Sequence, residues 1–398
     1  MPVQATISYL KGISAYMQLV STPSTAEPGT TARLDPFLSQ KLRFWSLVAM
    51  VLLVYVHGYN LHPRYLQPWT PVDEPLTVGS LLQYFLANGL LRFRIPILFA
   101  ISGYLFAHHD AATPHKERVK KRLRTLLVPY LLWSAIGLGM TWAMEQYPYT
   151  RQLVLDAALS IFGPQNPLVS GYSPGELLLR WLLLPVPFQL WFLRSLLVYN
   201  LAYPWLRKAV ERGPKIYFAV AGLLWLLDIG VPPLFEGTGL LFFALGIWLR
   251  KRQVDMLTPP RWFRLGLLTA GWLGIVSLKT WLAFYLQQPP FLPMLLLHKT
   301  AEALGVLVMW FGADGLVRVA MRQRWFVWLT AFSFMIYVLH VPLVNYATEA
   351  ALRLWPQQNL LVFLLLPLAI VLVAVLVGAV LRRTMPAVYG LLTGGRGL

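Results

Sequence analysis

Arg92-Phe93-Arg94-Ile95-Pro96-Ile97-Leu98-Phe99-Ala100-Ile101-Ser102-Gly103-Tyr104-Leu105 is an apolar run with two arginines set into its start, and a run of six Lys and Arg over residues 116–124 follows it. With the apolar residues that precede it, the stretch forms a window, 84–107, long enough for a membrane span, and the basic run that follows is of the kind that stays on the cytoplasmic side. Arg92 and Arg94 fit neither part of that pattern. A charge near the bilayer centre costs about 2.5–3.5 kcal/mol even on the lenient insertion scale, so charges kept there point to a functional site.

The rest of the chain repeats this design. Of its 398 residues, 57% are hydrophobic and 13% charged, against about a quarter charged in soluble domains. Apolar windows predict an all-α polytopic membrane helix bundle of about ten spans, near residues 44–61, 84–107, 125–144, 188–206, 216–229, 234–249, 263–283, 294–317, 325–347 and 359–381. Residues 1–40, rich in Ser, Thr and Pro, read as a disordered cytoplasmic tail, 41–385 as one integral-membrane domain, and 386–398 as a short cytoplasmic tail. The chain has no cysteine, which excludes disulfides, thiolate metal sites and a Cys nucleophile; no metal is expected. The net charge of +18 is accounted for by loops rather than by a nucleic-acid-binding face.

Orientation follows from those loops. With the N-terminus inside, the inner connections collect 25 of the 34 Lys and Arg, and the outer ones hold Arg64, Arg151, Arg180 and Arg353. Both termini are therefore expected in the cytoplasm. The longest outer connection, 145–187, contains two short apolar segments, 151–162 and 176–184. They suit interfacial or re-entrant helices, serving either as a packed loop or as a gating lid.

Span direction converts position into depth at 1.5 Å per residue. His57, Arg92, Arg94, Arg194, Lys279, His298, Lys299, Glu302 and His340, from six spans, then fall at similar depth toward the outer side, as expected of one polar cavity. Snorkelling competes with this for Arg92 and Lys279, and mutual neutralisation for Lys299 and Glu302. Within spans the clear acid is Glu302, with Asp228 and Asp314 toward span ends, so a cation pathway lacks its carboxylates. A His among arginines suits a neutral general base beside groups that hold an anion or a developing oxyanion. Acyl transfer from a phosphate-bearing donor to a hydroxyl needs both. The rival is a secondary transporter with a midplane anion site; a third reading is a non-catalytic assembly partner in an envelope pathway.

The quoted stretch resembles the second span of acyltransferase family 3, integral-membrane proteins that O-acylate envelope carbohydrates. Arg122-Leu123-Arg124-Thr125-Leu126-Leu127-Val128-Pro129-Tyr130-Leu131-Leu132-Trp133 resembles the motif that follows it there. Trp191-Phe192-Leu193-Arg194 and Ser333-Phe334-Met335-Ile336-Tyr337-Val338-Leu339-His340-Val341-Pro342 resemble the fourth and penultimate spans. The resemblance runs over about 39–385. It implies that His57 is essential; on the chemistry above His57 is expected to be the general base, and Arg94, with Arg92 and Arg194, to orient the donor and stabilise the oxyanion. It also implies an acyl-CoA donor, most simply acetyl-CoA, used from the cytoplasm on a glycan or lipid-linked sugar. Arg92, Arg194, Tyr337 and His340 are then expected to bind donor or substrate, and Lys121 and Arg122 to attract the CoA phosphates. The family usually carries a basic residue eleven before the His, where this chain has Ser46; Arg43, one turn lower, is the expected substitute. Ser102 is a candidate acyl carrier or, alternatively, part of a close helix contact.

Overall fold

The computed structural model describes residues 34–61, 72–110, 113–157, 159, 168–231, 235–286 and 290–397, so most of the expected tail 1–40 lies outside the described residues. Helix α1, Pro36–His57, begins where the Asp35 carboxylate accepts the Phe37 and Leu38 amides at 2.8 and 2.9 Å, satisfying two donors that a helix start leaves free. It delivers His57 as its last residue. Lys41, grouped with the loop cations by sequence, is fully buried near its start and paired with Asp314 at 2.6 Å.

The second apolar run is broken, contrary to the expected continuous span over 84–107. Helix α2, Val78–Ala87, ends at Asn88-Gly89, a single 3-10 turn covers Leu90–Phe93, and helix α3 runs Arg94–His108. A Cβ at Gly89 would overlap the Phe85 carbonyl and Val276, so only glycine passes here. Farther along, a Cβ at Gly103 would overlap the Phe243 carbonyl, and one at Gly246 the Ala100 carbonyl. These glycines let α3 press directly against α11, Gly237–Lys251. Ser102-Gly103-Tyr104 is thus a close helix contact, with the Ser102 hydroxyl donating to Leu98 O at 2.8 Å.

The 116–124 run opens helix α4, His115–Arg122, which continues through a π turn, Leu123–Leu127, into α5, Val128–Glu145. Next come α6, Pro148–Ala157, and α7, Pro174–Leu182, both too short to cross a bilayer core of about 30 Å. The Glu145 carboxylate accepts the Val169 and Ser170 amides at 2.5 and 2.9 Å, which ties this connection to the bundle. Parts of both expected segments, 151–162 and 176–184, are helical; residues 158 and 160–162 lie outside the described residues.

Helices α8, Trp191–Leu201, α9, Tyr203–Arg212, and α10, Pro214–Leu226, lead through a two-stranded hairpin, β1 Gly230–Val231 and β2 Phe235–Glu236, into α11. The hairpin is the one departure from all-α structure among the described residues. Then follow α12, Leu265–Tyr285, α13, Phe291–Gly312, α14, Asp314–Arg322, and α15, Arg324–Thr330. The chain ends with α16, Ser333–Leu354, α17, Asn359–Thr384, and α18, Pro386–Thr393. Six stretches are individually long and apolar enough to cross a membrane, and α15 with α16, bent by 65°, makes a seventh. The expected spans at 188–206, 216–229 and 234–249 correspond instead to α8, α10 and α11, of 11, 13 and 15 residues. α1 lies centrally, against α3, α16 and α17.

Candidate active site

Two breaks in helical hydrogen bonding build the site. At Asn88 the freed carbonyl accepts Lys279 Nζ at 2.6 Å, and the Asn88 side-chain oxygen accepts Arg92 Nη2 at 2.9 Å. Lys279, nearly fully buried, also meets His298 Nδ1 at 3.1 Å; it is an internal tether and does not snorkel. Arg94, buried at the first turn of α3, donates from Nη1 to Leu91 O at 2.7 Å. Its Nε has no hydrogen-bond partner among the described residues.

The second break is Pro342, inside α16. Proline has no N–H to give to residue 338, and Gln189 Nε2 takes up the freed Val338 carbonyl at 3.2 Å and Val341 O at 2.9 Å. Tyr337 in turn donates its hydroxyl to Gln189 O at 2.7 Å. The preceding turn thereby holds His340 against His57, their rings 5.3 Å apart and inclined by 27°, while Phe188 meets His57 edge-on at 4.9 Å. His340 Nδ1 lies 3.1 Å from Ile336 O. A carbonyl only accepts, so Nδ1 carries the proton there, and in the neutral ring Nε2 holds a bare lone pair. His340 Nε2 and His57 Nδ1 are both buried without hydrogen-bond partners among the described residues.

His57, Arg92 and Arg94 line a chamber of about 290 Å³ together with His298, Lys299 and Glu302. Its wall also includes Asp228 and Glu236, so cations and carboxylates share one space. Lys299 pairs with Asp228 at 2.6 Å and lies 3.9 Å from Glu302, which accepts Trp225 Nε1 at 3.2 Å. Six of the nine residues that the depth argument groups line this mixed-charge chamber, and Arg194, Lys279 and His340 do not. Gln189 and Glu236, missing from that argument, sit beside Pro187 and Gly237, residues that mark the ends of helices.

A second chamber, about 260 Å³, backs onto the first. Met50, Leu98, Phe192 and Tyr337 line both and so form the wall between them. The charged groups of this cationic chamber are Arg122 and Arg396, with Ser46, Ser102, Ser333 and Asn200 as its other polar lining.

Four expected binding residues line neither chamber, and one of them, His340, packs against His57 from behind the lining. Arg194 donates to the Leu183 carbonyl. Lys121 is exposed in a surface depression with Lys120 and Arg124. Arg43 is exposed on α1 while Ser46 lines the cationic chamber. Three residues turn a helix by about 300°, leaving Arg43 about 60° off the Ser46 face.

The profile of the acyltransferase domain family matches residues 41–380. The chain is also similar to the succinoglycan biosynthesis protein ExoH of Rhizobium meliloti (strain 1021), with 26% identity over 380 residues, covering 91% of this chain and 94% of that protein. No solved structure matches. A family match spanning nearly the whole helical body, over a chamber that joins His57 to Arg92 and Arg94, identifies the chain as a member of acyltransferase family 3, a membrane enzyme that transfers acyl groups.

Proposed function

We propose that the protein is an O-acyltransferase of the bacterial inner membrane, moving an acyl group, most simply acetyl, from acyl-CoA to a hydroxyl of an envelope glycan or lipid-linked sugar. The observation that carries this reading is His57, stacked on His340 and lining a chamber together with Arg92, Arg94 and carboxylates. Carboxylates with cations suit a polyhydroxylated acceptor, and the name of the similar ExoH protein, tied to a polysaccharide, supports a glycan. The topology proposed with it has ten passes, the short helices α8, α10 and α11 among them, and both termini in the cytoplasm.

In this reaction His57 accepts the proton of the acceptor hydroxyl as its oxygen attacks the thioester carbonyl. Arg94, supported by Arg92, stabilises the tetrahedral oxyanion. The carbon–sulfur bond then breaks, the ester forms, and the proton passes from His57 to the leaving thiolate. His340 holds the His57 ring by stacking against it, and Tyr337 and Arg122 belong to the donor side.

The test is acyl-CoA turnover by the purified protein in detergent, with release of free CoA followed in the presence and absence of glycan acceptors. Release of CoA with acyl ester on the glycan is expected. Binding of an anion without any release of CoA would favour the secondary transporter.

A further inference from the structure

The cationic chamber is unusual in how its charges are left. Elsewhere, Lys41 is paired with Asp314 and Arg118 with Asp110 at 2.7 Å, and Arg92 and Arg94 line a chamber that also contains Asp228, Glu236 and Glu302. No ion pair reaches Arg122 or Arg396 among the described residues, and the chamber lining contains no carboxylate. Its hydroxyls do not supply donors either. Ser46, Ser102 and Ser333 give their protons to Leu42, Leu98 and Thr330 carbonyls at 2.8, 2.8 and 3.1 Å. The two guanidinium groups therefore determine what the chamber attracts.

Arg396 reaches this place by a dedicated piece of chain. Gly394, Gly395 and Gly397 have φ of 62°, 78° and 75°, in the left-handed region open mainly to glycine. A Cβ at Gly394 would lie 2.5 Å from Thr125 O, and one at Gly397 would overlap the Ala331 carbonyl. The receiving surface is the motif around Pro129. Lacking an N–H, Pro129 leaves the carbonyl four residues earlier without its α-helical donor, and that carbonyl, Thr125 O, accepts Arg396 Nη1 at 2.7 Å. Trp133 Nε1 holds Leu392 O at 2.9 Å. Arg396 Nη1 also donates to Thr393 O at 2.9 Å, and the guanidinium lies 4.7 Å from the Phe334 ring centre. Its Nε and Nη2 donate to nothing among the described residues. Burial, and next the charge of Arg122, pull the Arg396 guanidinium down to about 10; it remains charged at neutral pH.

We propose that Arg396, brought back into the bundle by this glycine hook, is a donor-binding residue. It supplies the charge that position 46 lacks and, with Arg122, grips a diphosphate-type group of the acyl donor. Two planar guanidinium forks match two phosphate charges, and the surplus is more than one carboxylate would neutralise. Across the wall of Met50, Leu98, Phe192 and Tyr337 lies the His57 chamber, so a donor anchored here directs its acyl end toward the general base. This rests on the acyl-CoA reading given above.

The test is calorimetric titration of the full-length protein in detergent with three probes: CoA, pantetheine, which lacks phosphate, and inorganic diphosphate. The wild type should bind CoA and diphosphate. Arg396→Gln should weaken both about tenfold or more and leave pantetheine unchanged, and Ser46→Arg in the Arg396→Gln background should recover most of the loss. Unchanged CoA binding by Arg396→Gln, or equal losses of CoA and pantetheine, would overturn the assignment and leave the hook a structural tether. Should Arg396→Gln fail to fold, Ser46→Glu decides, because it places a carboxylate in the chamber and leaves the hook intact. It should cost CoA binding about tenfold, and no change would sink the proposal. Arg396-dependent binding of diphosphate without CoA would uphold the anion site and refute the CoA donor. If the wild type binds neither, the anion site is refuted, while CoA release in the turnover assay still judges the enzymatic reading on its own.

Discussion

The two chambers share a wall but differ in how they treat charge. In the mixed-charge chamber the cations share their space with acids: Lys299 pairs with Asp228 and lies near Glu302, Arg92 donates to the Asn88 amide, and Glu236 adds a further carboxylate. In the cationic chamber Arg122 and Arg396 share a space without a carboxylate. A compensated site holds a neutral, polyhydroxylated molecule by many small orienting bonds, whereas an uncompensated site waits for an anion. Two substrates of opposite electrostatic character can thus be kept apart without a moving part.

The largest test of this division is His57. His57→Ala should lower turnover by about 10²–10⁴-fold, as should His57→Gln, which hydrogen-bonds but cannot take the proton. CoA affinity should be unchanged in both, because the residue belongs to the other chamber. A loss below tenfold would remove His57 as base and point to His340.

Arg94 comes next. Arg94→Ala should cost about 10²–10³-fold in turnover, the range for losing an oxyanion donor, and Arg94→Lys should recover little because the planar fork is gone. Near-full activity in Arg94→Lys would reduce its role to balancing the carboxylates around it.

A sharper division comes from Glu302→Gln, which removes a carboxylate from one chamber alone. The acceptor KM should rise about tenfold at an unchanged donor KM. If the donor KM moved instead, the assignment of acceptor and donor to separate chambers would be wrong.

The smallest effect lies outside both chambers, at Asp110, which receives Arg118 and Arg207 at 2.7 Å and Lys251 at 2.5 Å. Burial pushes its carboxyl up, but hydrogen bonds from Lys251 and Tyr203 and the charges of Lys251 and Arg207 outweigh that and hold it below its ordinary range. A depressed carboxyl stabilises the fold above its ordinary range, and that contribution is lost as pH falls through the depressed value. The melting temperature should therefore decline on acidification, and Asp110→Asn should flatten the decline by about 2–4 °C. An unchanged slope would show that the cluster contributes nothing to the fold.

Much of the site was legible in the sequence because membrane depth is nearly a linear function of residue number. His57, Arg92, Arg94, His298, Lys299 and Glu302 could be set at one level from three apolar windows, and the structure places them around one chamber. Depth says nothing about azimuth, which is why Arg43 was expected in place of Arg396 and Arg194 inside the site. The break at Asn88-Gly89 had a signal, an Asn-Gly pair within an apolar run, and the hydropathy on both sides masked it. The three short helices also had one, since windows at 216–229 and 234–249 fall below the roughly 20 residues of a full pass. Arg396 had almost none. Near the end of the chain it reads as one more topology charge, and its importance depends on a carbonyl that Pro129 frees far away in sequence.

The wall between the chambers has an electrical consequence. In the proposed topology, with one chamber open to each side of the bilayer, Met50, Leu98, Phe192 and Tyr337 separate them, and the low-dielectric layer shrinks from about 30 Å to the thickness of a few side chains. The membrane voltage then falls across that layer as a concentrated field. An elementary charge carried through the full drop exchanges about 2.3 kcal/mol per 100 mV. In that topology, a reaction whose negative charge passes from the attacking oxygen on one side to the leaving sulfur on the other works within that field, so an energised membrane and a depolarised one would drive the same enzyme at different rates.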